Sequence, residues 1–225
     1  MSIYIPILLF FLLLGLNVPI AFAISFTTLI TMLFTIDMGP ALTTMAQRMA
    51  TGIDSFALLA IPFFILSGYI MGQGGMAKRL IDATKALIGM IPGGLAFTNI
   101  VSCMLFGSIS GSAVAASSAI GSFMIPEMKK AGYSRAFSSA VTVAGSTTGL
   151  LIPPSNVLIV YAVASGGASI AALFAAGYVP GILLGLALMV VCGVYAKAKN
   201  FPVEKPLPFM DILQKLASAL PAILL

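Results

Sequence analysis

Four stretches of this chain, residues 1–36, 55–77, 86–126 and 136–196, contain no Asp, Glu, Lys or Arg. A hydrocarbon core about 30 Å thick takes about 20 apolar residues per helical crossing, and each stretch holds enough for at least one. With 60% of 225 residues hydrophobic and 8% charged, the chain falls far below the roughly one quarter of charged residues that wets a globular surface. Inside lipid every backbone N–H and C=O must be bonded within its own segment. The fold class is therefore an all-α polytopic membrane protein, with membrane lipid as its surroundings.

The same composition removes whole classes of chemistry. The chain has no His, so Ser-His or Cys-His catalysis and His-ligated metals are unavailable. Cys103 and Cys192 both lie in apolar stretches, without a CxxC partner, and read as small buried hydrophobes. The net charge of +5 sits in clusters that flank apolar stretches. That pattern sets membrane orientation and gives no nucleic-acid partner. Residues 1–16 lack a basic leader and a small-residue cleavage site, and read as a retained helix.

Asn17 and Pro19 divide 1–36 into two apolar helices, 3–16 and 18–36, expected to make two short crossings. Residues 37–54 form a polar connection with one Arg against two Asp. A helix over about 55–72 follows, with Pro62 inside it. After the breaker cluster at 72–78, Met76, Leu80, Ile81, Leu87 and Ile88 share one face, with Lys78, Asp82 and Lys85 opposite. This is an amphipathic helix suited to the membrane interface.

Residues 92–126 run PGGLAFTNIVSCMLFGSISGSAVAASSAIGSFMIP and are bracketed by basic clusters at 78–85 and 129–135. Excess Lys and Arg place both flanks in the cytoplasm. A segment that leaves and returns to one side within this length reads as a re-entrant helical hairpin, with its Gly/Ser-rich tip at Ser108–Ala113. Residues 136–165 form a second interrupted element, a broken transmembrane helix. Pro153-Pro154 cannot sit in a regular helix, so it opens near Gly149–Ser155, and Ser155 or Asn156 caps the second half. Residues 170–196 make one long helix. The basic clusters are then cytoplasmic, the 37–54 connection and the N-terminus outside. Residues 200–210 form a Pro-rich cytoplasmic linker. The apolar segment 212–225 is too short to span and reads as a helix cut short.

Broken helices at membrane depth are costly unless their freed polar groups are used. Secondary transporters use half-helix N-termini for anionic groups, and unwound carbonyls with C-terminal ends for Na⁺. Ser108, Ser110, Ser112, Thr147, Thr148, Ser155 and Asn156 cluster at the two breaks, and no carboxylate lies in either. A proton relay needs an ionisable group in the membrane, so the pattern favours Na⁺ as coupling ion. Small residues also mediate close helix packing, and that reading is preferred for 117–122 and 136–140. Arg48, the one basic residue before Lys78, is either a contact for an anionic substrate or an ordinary headgroup-binding arginine.

Three long segments, QRMATGIDSFALLAIPFFILSG (47–68), IPGGLAFTNIVSCMLFGSISGSAVAASSAIGSFMIPEMKKAGYSRAFSSAVT (91–142) and GLLIPPSNVLIVYAVASGGASIAALFAAGYVPGILLG (149–185), resemble the large membrane (M, DctM-like) subunit of TRAP transporters, the tripartite ATP-independent periplasmic transporters. The resemblance covers essentially the whole chain. It implies an ion-transporter-superfamily elevator fold, of which this chain holds the first inverted repeat and the start of the second. Scaffold helices and the interfacial helix then occupy 1–90 and transport-domain elements 91–169. A long transmembrane helix fills 170–199, the linker 200–211, and the beginning of the second repeat 212–225.

The implied activity is Na⁺-coupled import of an organic acid across the bacterial inner membrane. The implied partners are a small four-helix membrane subunit (Q type) and a soluble periplasmic substrate-binding protein (P type). Sialic acid is the first substrate expectation and a C4-dicarboxylate the second. Carried over by position, the first Na⁺ site comprises Ser108, Ser110, Gly111, Ser112, Thr148, Gly149, Pro154, Ser155 and Asn156. The substrate contacts are Arg48, Ser110, Ser112 and Asn156. Many family members carry an acidic residue just after the tip, where this chain has Val114-Ala115-Ala116.

The alternative is a stand-alone Na⁺-coupled carboxylate transporter of the same superfamily that uses no binding protein. An intramembrane Ser protease is disfavoured by the missing His. A purely structural scaffold is disfavoured by the costly Pro-Pro break.

Overall fold

A computed structural model describes residues 4–199, 201, 203 and 207–224 of the chain. Every regular element among the described residues is a helix. The chain divides into two units, Met1–Ser55 and Phe56–Leu225.

The first unit holds α1 (Tyr4–Gly15), α2 (Ile20–Leu33) and α3 (Met38–Ile53). Asn17 takes the left-handed conformation at φ 61°, which Asn tolerates better than most residues. Val18 N–H then closes back on Leu13 O at 3.1 Å, and Pro19 opens α2. At 1.5 Å per residue, α1 and α2 are about 18 and 21 Å long. Each falls short of the core thickness, so helix length alone does not supply the two crossings expected in 1–36. The 37–54 connection is itself a helix, α3, of 16 residues. Pro40 falls in its first turn, where a missing N–H costs nothing. Thr43 and Thr51 hydroxyls donate to Gly39 O and Gln47 O one turn back.

The second unit holds α4 (Phe56–Gln73), α5 (Met76–Ile88), α6 (Gly94–Ser110), α7 (Ala113–Lys130), α8 (Arg135–Gly149), α9 (Asn156–Ala164), α10 (Ile170–Lys199) and α11 (Phe209–Leu224). Helices α4 and α10 are long and apolar enough to cross a membrane. They expose Phe56, Phe63, Ile65, Val179, Leu183 and Val191, as suits a lipid-facing wall. Of the 200–211 linker, residues 200, 202 and 204–206 lie outside the described residues, and α11 already begins at Phe209.

The core of this unit is the packing of α5, α6, α7 and α8. Phe106, Ile100, Ile120, Met124, Met128 and Leu80 are fully buried there. Lipid is as apolar as these side chains, so close fit rather than water exclusion holds such helices together. Part of the apolar face of α5 is covered by protein: Leu80 and Ile81 are buried in the core, beside Ala219 and Ala222 of α11. Leu87 of the same face stays exposed, as do Lys78 and Arg79. Lys85 of α5 pairs with Glu127 of α7.

Between α6 and α8 runs a polar seam. Asn99 donates to Thr142 Oγ1 at 2.8 Å, and Thr142 donates to Ser138 O at 2.8 Å. Both cysteines are buried and free. Tyr133, in the α7–α8 loop, stacks on Phe201 with ring centroids 3.8 Å apart. Burial pushes its phenol up to about 12, so it stays neutral at any physiological pH.

Candidate functional site

Helix α6 stops because Gly111 turns left-handed, at φ 62°. Its N–H donates to Gly107 O at 2.8 Å, and glycine adopts this conformation without the penalty of a Cβ. Ser112 follows in extended conformation, and its Oγ accepts the Ala115 N–H at 3.3 Å, which caps α7. Two residues therefore reverse the chain. Ser110 donates to Ser112 O at 3.4 Å across the turn.

Helix α8 stops for a different reason. A helix carbonyl needs the N–H four residues on. For Gly149 and Leu150 those residues are Pro153 and Pro154, which have none. The end tightens instead: Leu150 and Leu151 N–H groups donate to Thr147 O at 3.2 Å and Thr148 O at 3.1 Å. The chain restarts at Ser155, whose Oγ accepts the Leu158 N–H at 3.4 Å and caps α9.

Glycines bring the two stops together. A Cβ on Gly107 would lie 2.9 Å from Gly149 Cα, and one on Gly149 would lie 2.9 Å from Gly107 Cα and 2.8 Å from Cys103 O. A Cβ on Gly145 would lie 3.2 Å from Ile100 Cα. Helices α6 and α8 thus touch backbone to backbone, one turn before the end of α6 and at the end of α8. Their C-terminal ends, each carrying about half a negative charge, converge.

Beyond the crossing, a Cβ on Gly111 would lie 3.1 Å from Asn156 Oδ1. Asn156 Oδ1 is buried and accepts no hydrogen bond. An unmet buried acceptor costs about 1–3 kcal/mol. Ser108 and Ile109 of the tip, Pro153 and Pro154 of the break, and Ser67 and Met71 of α4 line a cleft of about 440 Å³.

The site residues expected from sequence distribute as follows. Ser110, Gly111, Thr148, Gly149 and Ser155 are buried, while Ser108, Ser112, Pro154 and Asn156 are half-buried. Gly111 meets Asn156, and Ser108 and Pro154 share the cleft. Thr148 and Ser108 donate to Gly145 O at 2.6 Å and Leu105 O at 2.8 Å, which spends each hydroxyl proton and leaves oxygen lone pairs. Thr147 does not join them. It is exposed and donates to Ala144 O at 2.7 Å. Arg48 lies in the first unit, exposed on α3.

Gly107, Gly145 and Gly68 do not stand out in the sequence, although a Cβ on Gly68 of α4 would lie 2.6 Å from Ser110 Cβ. The four-residue spacing of Gly145 and Gly149 was the available signal, since small residues at that interval mark close helix approach.

Among the described residues, no group of three or more His, Cys, Asp or Glu side chains could hold a metal ion. The oxygens at the breaks are neutral: carbonyls, hydroxyls and one amide. Such a set suits a hard cation of low charge, whereas Ca²⁺ recruits carboxylates. The N-termini of α7 and α9 begin at the same two breaks and offer backbone N–H groups to an anion.

The family model for the tripartite ATP-independent periplasmic transporter, DctM component, matches residues 7–225. The chain is 50% identical over 216 residues to the uncharacterized protein YgiK of Salmonella typhimurium, covering 96% of this chain and 50% of that one. It is 47% identical to the C4-dicarboxylate TRAP transporter large permease protein DctM of Pseudomonas aeruginosa, covering 74% of this chain and 38% of that protein. It is 35% identical to the sialic acid TRAP transporter permease protein SiaT of Haemophilus influenzae, covering 89% and 32%. The chain thus spans about a third to a half of the length of these curated relatives.

Proposed function

Because the chain belongs to the DctM family, the membrane component of tripartite ATP-independent periplasmic transporters, we propose that it forms part of a Na⁺-coupled importer of organic acids in the bacterial inner membrane. The observation that carries this reading is Asn156 Oδ1. It is a buried, unpartnered acceptor beside the left-handed Gly111, where the negative ends of α6 and α8 converge. A sodium ion at that point satisfies the acceptor and draws on the carbonyls released at Ser108–Gly111 and at Gly149–Leu150. Hydroxyls of Ser110, Ser112, Thr148 and Ser155 surround it. Sodium is cargo here, bound and released in each cycle.

Charge balance couples the two ligands. An organic anion entering a site without a cationic side chain needs a compensating charge nearby. Sodium supplies it, and the capped N-termini of α7 and α9 orient the carboxylate. Binding of either partner thereby favours the other, which is the thermodynamic basis of coupling. Residues 91–169 act as the moving transport element in an elevator cycle, with 1–90 as scaffold. The N-terminus faces the periplasm and the basic loops the cytoplasm. A small Q-type membrane subunit and a periplasmic P-type binding protein complete the system. Arg48 receives the anion on the periplasmic side. A C4-dicarboxylate is the first substrate to test, given 47% identity to a C4-dicarboxylate permease against 35% to a sialic acid permease.

The test is uptake of labelled succinate and of labelled sialic acid into proteoliposomes holding the complete transporter, with a sodium gradient or a choline gradient, and with or without binding protein. Uptake driven by sodium and dependent on the binding protein is expected. Uptake that ignores sodium refutes the coupling. Sodium-driven uptake without any binding protein establishes the stand-alone carrier instead.

A further inference from the structure

Helix α10 presents two different surfaces. Outward it shows Val179, Ile182, Leu183, Leu186, Val190 and Val191, all exposed. Inward it shows Gly177, Gly181 and Gly185, all buried. Glycine is among the poorest helix formers, so three at successive turns of a long helix call for a reason in what they touch.

Each one touches something different. A Cβ on Gly177 would fall on the carbonyl oxygen of Leu151. One on Gly181 would lie 2.6 Å from Ile152 Cγ1 and 3.3 Å from Leu151 Cβ. One on Gly185 would run into the thioether end of Met104. Two of the three therefore seat the broken segment itself. From the other side, the segment is held where Gly149 rests on Gly107. The break is gripped between two bare backbones.

We infer that Gly177 and Gly181 are positioning residues for the sodium site: they fix Leu151 and Ile152 against α10, and so set where the carbonyls released just before them stand. This rests on the sodium reading above. Ligand sets lose affinity when their atoms move by about half an ångström. A methyl group at Gly177 meets the Leu151 main chain, so the break and α10 must part there and the seat is lost. A methyl group at Gly185 meets the tip of a flexible side chain, which swings aside. The two positions occupy the same face of the same helix and predict opposite outcomes.

The experiment measures thermal unfolding of the complete purified transporter in detergent, titrated with NaCl against choline chloride at constant ionic strength. An ion that binds only the folded form raises the midpoint in proportion to its affinity. Wild type is expected to be stabilised by sodium. Gly177→Ala is expected to need about tenfold more sodium for the same stabilisation, with its sodium-free midpoint close to that of Gly185→Ala. Gly185→Ala is expected to titrate as wild type.

If Gly177→Ala does not accumulate in the membrane, the pair at Gly181 decides. Gly181→Ala alone weakens the sodium response, and Ile152→Ala added to it restores the response by removing the clashing atoms. A wild-type sodium response in Gly177→Ala overturns the inference and leaves the sodium reading intact. So does an equal loss in Gly177→Ala and Gly185→Ala, which reports general packing. A Gly181→Ala response that Ile152→Ala does not restore overturns it as well. A wild type indifferent to sodium overturns both.

Discussion

The hairpin tip and the broken helix expose backbone oxygens by opposite means. At the tip, the chain turns through left-handed Gly111 and one extended serine, and its helix is stopped by geometry. At the break, Pro153 and Pro154 withhold two N–H groups, and the helix is stopped by chemistry. A conformational stop can be undone by a change of shape, whereas a missing donor cannot. One wall of the candidate site is stopped by a shape that glycine can leave, and the other by donors that proline never has.

The largest effect should come from supplying the donors. With Pro153→Ala and Pro154→Ala together, Gly149 and Leu150 can regain intrahelical partners, and sodium-driven uptake should fall at least a hundredfold. Uptake near wild type would show that the break is not chemically fixed. Next comes the amide that bridges both regions. Asn156→Ala should raise the sodium concentration for half-maximal uptake about tenfold, as expected for a contact to a charged group, and Ser110→Ala should do the same or somewhat less. A sodium titration unchanged in both variants would dissolve the link between tip and break.

Gly111→Ala sharpens the contrast. The left-handed backbone strains any Cβ by about 1–2 kcal/mol, and the new methyl would lie 3.1 Å from Asn156 Oδ1. Purified protein should unfold a few degrees lower and bind sodium several-fold more weakly. A variant with intact sodium binding would mean that the tip adapts without reaching Asn156. Arg48→Ala should raise the substrate KM a few-fold and leave the sodium titration unmoved. A KM equal to wild type would remove Arg48 from the substrate's route. Smallest of all, Thr147→Val should change neither measurement, because Thr147 is exposed and bonds only to its own helix.

The places where these helices end were legible in the chain. Proline withholds a donor whatever surrounds it, and GSISGSA offers the glycine that a left-handed turn requires. What joins the breaks was less legible. Gly107, Gly149 and Gly177 look alike in sequence, and only the packed backbone shows which faces Gly149, which faces Gly107 and which faces Leu151. Residues 37–54 read as a polar connection because Asp37, Arg48 and Asp54 interrupt them. Yet Asp37 and Asp54 bound α3 from outside, and Arg48 sits on an exposed face. The basic stripe of α5 was legible, but the burial of Leu80 and Ile81 beside α11 depends on residues far along the chain. Thr147 and Thr148 are chemically equivalent, and helical phase alone separates them.

Where Gly107 lies on Gly149, no side chain stands between the two helices. Interlocked side chains can slip from one rotamer to another and let their helices part; a joint of bare main chain has no such ratchet. The tip and the break are therefore joined by direct main-chain contact as well as by the Asn99–Thr142 seam. On the proposed sodium reading, an ion lodged between them is released by what closes over the pair rather than by the pair coming apart.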